Sequence, residues 1–96
     1  MNDSKEQIPS DFSFEQNYPN PFNPTTTISF SIPAETFVII KIYDNLGNEI
    51  STLINDVKKP GKYHTIFDAA GLSSGIYYCK MMADNFIGTQ KLILLK

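Results

Sequence analysis

The residues that could carry out nucleophilic chemistry are few. The chain has one cysteine, Cys79, one histidine, His64, and no arginine. A cysteine nucleophile needs a nearby base or cation that lowers the pKa of its thiol. Cys79 lies in the mostly apolar run 76–82, where a buried thiol behaves as a small apolar group. We therefore expect Cys79 and His64 to be strand residues that face the core, and we expect that the protein is not an enzyme.

Carboxylates are more numerous, and four aspartates fall where strands are predicted to end: Asp44, Asp56, Asp68 and Asp84. An aspartate at such a position commonly caps the backbone of a turn. Residues 44–49 (Asp-Asn-Leu-Gly-Asn-Glu) superficially resemble a calcium-binding loop, but they lack the alternating oxygen ligands of an EF-hand. We expect a turn here, and we expect no metal or other cofactor.

Three tyrosines, Tyr43, Tyr63 and Tyr78, could form an aromatic surface that binds a carbohydrate. The chain has no tryptophan to complete a planar platform. Tyrosines on strands also pack in the core or against cross-strand neighbours. Packing is the expected role, and glycan binding stays open as the alternative.

The charge pattern argues against a nucleic-acid partner. The net charge is −2, and all eight basic residues are lysines. Arginine is the usual side chain for phosphate and base-edge recognition, and the largest basic cluster is Lys58, Lys59 and Lys62. No apolar run approaches the roughly 18 residues that a membrane-spanning helix needs, so we also expect no membrane span.

The elements that must position these residues are predicted to be strands. Apolar and polar residues alternate with a period of two, and Gly, Pro, Asn and Asp separate the alternating runs. The predicted strands are residues 28–32, 37–43, 49–54, 62–68, 76–82 and 88–95. Residues 37–43 are apolar on both faces, which is typical of a central strand. We therefore predict an all-β fold, an immunoglobulin-like antiparallel β-sandwich of six or seven short strands.

A proline-rich segment, residues 16–24 (Gln-Asn-Tyr-Pro-Asn-Pro-Phe-Asn-Pro), precedes the first predicted strand. Its prolines fix their own φ angles and keep the preceding residues out of the helical region. We expect a stiff, extended segment in which Tyr18 and Phe22 offer large apolar groups to the core beneath them.

The polar residues 1–11 have no periodic pattern, so we expect them to be a linker or a tail introduced by cloning. They also lack the apolar segment of an export signal. Residues 12–96 are predicted to form one domain, which is long enough to bury a core of its own.

Lys91 and Lys96 flank the apolar run 92–95 (Leu-Ile-Leu-Leu). Flanking lysines can discourage the aggregation of an exposed edge strand, and they can equally be a recognition handle. The sequence leaves both roles open. An exposed strand at this place could also accept a partner strand by β-augmentation.

Six blocks of sequence occur in an order and spacing that are specific when taken together. They are residues 16–28 (Gln-Asn-Tyr-Pro-Asn-Pro-Phe-Asn-Pro-Thr-Thr-Thr-Ile), 42–47 (Ile-Tyr-Asp-Asn-Leu-Gly), 61–64 (Gly-Lys-Tyr-His), 67–68 (Phe-Asp), 72–78 (Leu-Ser-Ser-Gly-Ile-Tyr-Tyr) and 91–96 (Lys-Leu-Ile-Leu-Leu-Lys). Over about residues 12–96 the chain resembles the C-terminal sorting domains, type A, of the type IX (Por) secretion system.

The resemblance implies that the domain is a secretion signal. Such domains are immunoglobulin-like sandwiches that follow a passenger in cargo proteins of the Bacteroidetes and related bacteria. The resemblance implies that the outer-membrane type IX translocon recognises the folded domain after transit through the periplasm. A surface sorting peptidase then cuts the linker before the domain, here within residues 1–15. The passenger is released or attached to an anionic lipopolysaccharide, so the expected location is secreted or cell surface.

Matched position by position, the resemblance implies recognition through three groups of residues. They are Pro19, Asn20 and Pro21, then Gly75 and Tyr77, then Lys91 and Lys96. The alternative function is that of an accessory immunoglobulin-like module that binds a polysaccharide or a protein.

Overall fold

The structure is a computed structural model that describes residues 8–96. This part of the chain contains seven strands and no helix, and hence no helix long and apolar enough to cross a membrane. In chain order the strands are β1 (Ser13–Phe14), β2 (Thr25–Ile32), β3 (Thr36–Tyr43), β4 (Glu49–Lys58), β5 (Gly61–Asp68), β6 (Gly75–Ala83) and β7 (Phe86–Leu94).

The strands form two antiparallel sheets, one with the order β1-β2-β5 and the other with the order β4-β3-β6-β7. This arrangement corresponds to an immunoglobulin-like sandwich, with strands A, B and E in one sheet and C′, C, F and G in the other. The predicted all-β sandwich is confirmed. β3 has a strand on each side, as its two apolar faces indicated.

The core lies between the sheets and follows the period-two pattern. Successive side chains of a strand point to opposite faces of its sheet, so alternate residues of β2, β3, β6 and β7 are buried. The buried apolar residues of these strands are Ile28, Phe30, Ile32, Val38, Ile40, Ile42, Tyr77, Cys79, Met81, Ala83, Leu92 and Leu94. Each large side chain buried in this way contributes about 1.5–3 kcal/mol to stability. This inner layer therefore holds the two sheets together.

The strand limits differ from the prediction mainly at the sheet edges. β4 continues to Lys58 instead of ending at residue 54, and its register with β3 shifts at two places. Asn55 and Asp56 are exposed, so the alternation that marks a strand is lost although the pairing continues. β1 was not predicted, because two residues are too few for any periodicity.

The prediction that His64 faces the core is wrong. The ring of Tyr63 stacks on that of Phe30, with the centroids 5.4 Å apart, and Phe67 is buried. Tyr63 and Phe67 therefore take the inner face of β5, and the pleat places His64 outside, where it is exposed. Cys79 is buried on β6, as predicted.

Candidate functional site

The last residues of the edge strand β7 are covered by the proline-rich segment. The backbone N–H of Phe22 donates a hydrogen bond to the carbonyl oxygen of Ile93 (2.9 Å), and the N–H of Leu95 donates to the carbonyl oxygen of Phe22 (3.1 Å). These bonds form a parallel bridge between Phe22 and Leu94. The segment therefore lies along the edge of β7 that β6 leaves uncovered.

A side-chain amide extends this bridge where the backbone cannot. Pro19 and Pro21 have no N–H to donate. Asn20 lies between them, and its Oδ1 accepts a hydrogen bond from the N–H of Ile93 (2.9 Å). Its Nδ2 donates to the carbonyl oxygen of Lys91 (3.3 Å). The carboxamide thus replaces the backbone pairing that the two prolines prevent.

We use the name clasp for residues 16–22 together with residues 91–95, which these contacts join. Gln16 adds a hydrogen bond from its Nε2 to the carbonyl oxygen of Lys91 (3.1 Å). The clasp therefore unites the first and the last of the six sequence blocks.

Asn17 anchors the clasp from within. It is 2% exposed, and its Nδ2 donates to the carbonyl oxygen of Pro19 (3.2 Å) and to Oγ1 of Thr26 (2.9 Å). Thr26 Oγ1 donates in turn to the carbonyl oxygen of Pro19 (2.8 Å). Buried polar groups are normally paired, and these bonds fix the proline turn against the start of β2. Sequence reasoning missed Asn17 and Thr26, although an asparagine two residues before a proline is typical of a local side-chain turn.

The proline-rich segment joins the two sheets. Tyr18 exchanges two backbone hydrogen bonds with Thr27 of β2 (3.1 and 2.9 Å), whereas Phe22 bridges to Leu94 of β7. The chain passes from one sheet to the other between Tyr18 and Phe22, so it bends there, and the three X-Pro peptide bonds of the segment are cis. The expectation of an extended segment is wrong for this stretch, because crossing between the sheets requires the bend.

Only one of the segment's two aromatic residues enters the core. Phe22 is 2% exposed, and its ring centroid lies 6.1 Å from that of Phe67. Tyr18 is 80% exposed. Directly paired strand residues share one face, and Thr27, the partner of Tyr18, lies between the inward-facing Thr26 and Ile28 and points outward. The prediction of burial is therefore confirmed for Phe22 and wrong for Tyr18.

The predicted recognition residues of β6 lie beside the same end of β7. Gly75 is opposite Leu94, and Tyr77 is opposite Leu92. Tyr77 is buried, and its hydroxyl donates a hydrogen bond to the carbonyl oxygen of Ser73 (2.7 Å). This contact is a tyrosine corner, a structural feature found at the start of strand F in immunoglobulin-like sandwiches. The side chain of Tyr77 thus supports the fold beneath the clasp.

Lys96 folds back on the loop that precedes β6. Its backbone N–H donates to Oγ of Ser74 (2.9 Å), and its Nζ donates to the carbonyl oxygen of Ala70 (2.6 Å). Lys91 is exposed, and its backbone carbonyl oxygen is held by the clasp. The two lysines therefore have different surroundings, one bound to a loop and the other projecting from β7.

The structure brings the seven predicted residues to one end of the sandwich, although their side chains do not converge on one point. Pro19, Pro21, Gly75, Lys91 and Lys96 are exposed, Asn20 is half-buried, and Tyr77 is buried. Two large apolar side chains are exposed at the clasp as well, Tyr18 and Leu95. We define the clasp face as the exposed residues Tyr18, Pro19, Pro21, Leu95 and Lys96. Tyr18 and Leu95 are members that sequence reasoning missed.

The edge of β7 is occupied from Lys91 to Leu95. The carbonyl oxygen of Lys91, both backbone groups of Ile93 and the N–H of Leu95 are bonded to the proline-rich segment. The expectation that this run accepts a partner strand by β-augmentation is therefore wrong. Since the edge is covered, it does not depend on flanking lysines to prevent pairing.

Cys79 and His64 do not form a pair. Cys79 is buried on β6 of the four-stranded sheet, and burial raises the pKa of its thiol to about 12. His64 lies on the outer side of β5, in the opposite sheet. The two side chains cannot act together as nucleophile and base.

The turn predicted around Asp44 is confirmed. Asp44 Oδ1 accepts hydrogen bonds from the N–H groups of Leu46 (2.8 Å) and Asn48 (2.9 Å), and Oδ2 accepts one from Nδ2 of Asn48 (3.2 Å). Gly47 has a φ of +89°, which favours glycine. These hydrogen bonds lower the pKa of Asp44 because they stabilise its carboxylate, and the bond from the N–H of Asn48 has the largest effect. Within residues 8–96, no three His, Cys, Asp or Glu side chains are grouped to hold a metal ion.

The structure brings together two of the three tyrosines considered for a glycan surface. Tyr43 and Tyr78 are opposite each other in the β3–β6 ladder, and both are half-exposed on the outer face of the four-stranded sheet. Tyr63 packs on Phe30 and donates a hydrogen bond to the carbonyl oxygen of Lys59. The expected packing role is therefore observed for Tyr63.

Comparison with known proteins identifies the family of the chain. No curated protein and no solved structure matches the chain. The family model for secretion system C-terminal sorting domains matches residues 16–95. The match starts at Gln16, where the clasp begins, and ends at Leu95, whose N–H closes it. The chain therefore belongs to the family of secretion system C-terminal sorting domains, the sorting domains of the type IX system.

Proposed function

We propose that the domain carries an N-terminal passenger through the outer membrane by binding the type IX translocon with its clasp face. The observation that supports this proposal is the clasp itself. Asn20 holds the backbone of Ile93, and Phe22 pairs with Leu94, so the two outermost sequence blocks of the family form one surface. A partner that binds this surface reads both blocks at once.

A surface of this kind exists only in the folded domain. The side chain of Asn20 and the N–H of Ile93 are 73 residues apart in the sequence, so an unfolded chain does not hold them together. The clasp is pinned to both sheets, through Tyr18 and Phe22, and binding it costs little ordering entropy. The translocon would therefore select folded domains and bind them without rearranging them.

In this proposal the domain is a sorting signal and has no catalytic activity of its own. The separation of Cys79 from His64 supports this view, since they lie on different sheets and only Cys79 faces the core. The surface sorting peptidase supplies the chemistry by cutting before the domain, within residues 1–15, and the passenger is then attached to the cell surface or released. Residues 1–7 lie outside the described residues, and they include most of the predicted linker 1–11. The predicted boundary between this linker and the domain at residue 12 stays a prediction.

The test is secretion of a reporter that is preceded by a signal peptide and followed by residues 12–96, in a host with a type IX system. The intact fusion should reach the medium or the cell surface. Retention in the periplasm would overturn the proposal.

The clasp face can be tested separately with a matched pair of variants. Leu95→Ala removes an apolar side chain that is 57% exposed at the clasp face, and Ile66→Ala removes one that is 59% exposed on β5. Both variants should fold, but only Leu95→Ala should lower export of the reporter. Equal export of the two variants would place recognition elsewhere on the domain.

A further inference from the structure

The outer face of the four-stranded sheet, which points away from the core, carries an aromatic and basic surface. In register across the strands, Tyr43 of β3 is opposite Tyr78 of β6, and Tyr78 is opposite Lys91 of β7. In the next row Lys41 is opposite Lys80, and Lys80 is opposite Thr89. Two tyrosine rings and three lysines thus occupy adjacent rows of one face.

Several of these side chains have no partner within the domain. Among the residues described, no hydrogen bond or ion pair engages the side chains of Tyr43, Tyr78, Lys80 or Lys91. Lys41 is different, because its Nζ lies 3.1 Å from Oε1 of Glu49. The face therefore presents two phenol groups and two ammonium groups to solvent.

Part of these two rows forms the floor of an open groove of about 510 Å³, and Lys41 and Lys91 lie in the same rows outside its lining. Tyr43, Tyr78, Lys80 and Thr89 line it, and the turn of residues 44–47 stands at one side. Leu46, at the top of that turn, is 85% exposed. A groove with aromatic rings on its floor and an apolar residue at its rim suits a ligand with flat apolar faces.

We propose that this groove binds an acidic polysaccharide. The C–H face of a sugar ring can pack on the rings of Tyr43 and Tyr78, while the carboxylate groups of the polymer pair with the ammonium groups of Lys80 and Lys91. The polymer spans several sugars, so it can reach both rows of the face.

The charges at this face favour an acidic ligand. The whole chain has a net charge of −2, so an anionic polymer is repelled on average. The acidic groups at this face are Glu49, which is paired with Lys41, and Asp44, whose two oxygens are hydrogen-bonded within the turn. Three lysines (Lys41, Lys80 and Lys91) therefore stand against these two carboxylates, which leaves the face with a net charge of +1. This binding would be a second property of the domain, on a different surface from the clasp face.

The test is native affinity electrophoresis of the 96-residue chain in gels that contain polygalacturonate or neutral dextran. Polygalacturonate should retard the protein, dextran should not, and added salt should weaken the retardation. Equal retardation by dextran, or no retardation by either polymer, would overturn the proposal. So would equally tight binding of polyglutamate, which would identify the ligand as an acidic peptide.

Matched variants locate the binding surface. Tyr78→Ala should weaken binding about tenfold and Lys80→Gln about threefold, as truncations of an aromatic contact and of an exposed ion pair usually do. Tyr18→Ala and Lys62→Gln remove the same types of exposed side chain elsewhere and should have no effect.

Amide chemical shifts of the unmutated protein supply a readout that does not depend on how the variants fold. Titration with oligogalacturonate should shift the resonances of Tyr43, Tyr78, Lys80 and Thr89. Shifts confined to other strands would contradict the proposed groove.

Discussion

The side-chain oxygen of Asn20 accepts a hydrogen bond from the backbone N–H of Ile93 at 2.9 Å, across a sequence separation of 73 residues. A proline-flanked asparagine thereby takes the place of a neighbouring strand at the edge of β7. This arrangement has two structural effects. It pairs the outward backbone groups of an edge strand, which would otherwise invite association with other chains, and it fixes one motif of the family against the other.

Replacing Asn20 with alanine should destabilise the domain by about 1–2 kcal/mol, because the N–H of Ile93 loses its acceptor and the carbonyl oxygen of Lys91 keeps only the donor from Gln16. Urea unfolding measures this change. Asn55→Ala is the control, since Asn55 is exposed on β4 and should change stability by less than about 0.5 kcal/mol. Amide exchange at Ile93 should also become faster in Asn20→Ala alone. A loss of the same size in both variants would mean that the amide of Asn20 has no special role.

Truncation of the two aromatic residues of the proline-rich segment should have very different effects. Phe22→Ala removes a ring that is 2% exposed, and the resulting cavity should cost about 3–5 kcal/mol. Tyr18→Ala removes a ring that is 80% exposed and should cost less than about 0.5 kcal/mol. Thermal unfolding followed by circular dichroism compares them directly. The described packing would be contradicted by a midpoint for Phe22→Ala that lies close to that of the unmutated protein.

The hydroxyl of Tyr77 should stabilise the loop before β6. Tyr77→Phe keeps the buried ring and removes only the hydrogen bond to the carbonyl oxygen of Ser73, so we expect a loss of about 1 kcal/mol. Tyr18→Phe removes an exposed hydroxyl and serves as the control. Chemical denaturation distinguishes the two variants. If both unfold at the same denaturant concentration, the corner contributes nothing to stability.

The buried thiol of Cys79 should make stability depend on pH in alkaline solution. Burial raises the pKa of this thiol from 9.0 to about 12, so the unfolded chain loses the proton first as the pH rises. The contribution is fully present below pH 9 and is lost between pH 9 and 12, with a slope of up to about 1.4 kcal/mol per pH unit. Urea unfolding at several pH values between 8 and 11 measures it. Cys79→Ala shares every other titrating group and should fall less steeply, and parallel curves for the two proteins would contradict the prediction.

The inner layer of the sandwich could be predicted from the sequence because burial imposes a period of two. Ile28, Phe30 and Ile32 show that period without interruption, and all are buried. On β5 the period was visible but its direction was not, since Tyr63 and Ile66 offer apolar groups to opposite faces. The packing of Tyr63 on Phe30, a contact between two strands, decides which face turns inward and leaves Ile66 and His64 outside.

The clasp could be predicted only in part. The family resemblance singled out Asn20 and Lys91, but it did not indicate that they touch, because a contact between an amide and a distant backbone has no local pattern. The exposure of Tyr18 also depends on a distant partner, Thr27, which sets the outward direction of its ring. Proline chemistry predicted a stiff segment, and the bend arises from the need to reach both sheets.

The pairing of residues 16–22 with residues 91–95 also determines when the clasp can form during synthesis. The first of these stretches leaves the ribosome early, and the second follows only after every other strand of the domain has been translated. A polypeptide that is interrupted before Lys91 lacks the second stretch altogether, and one that is interrupted before Leu95 lacks the N–H that bonds to the carbonyl oxygen of Phe22. If the translocon recognises the clasp as proposed, unfinished products are not exported, and export requires that synthesis has passed through the whole domain.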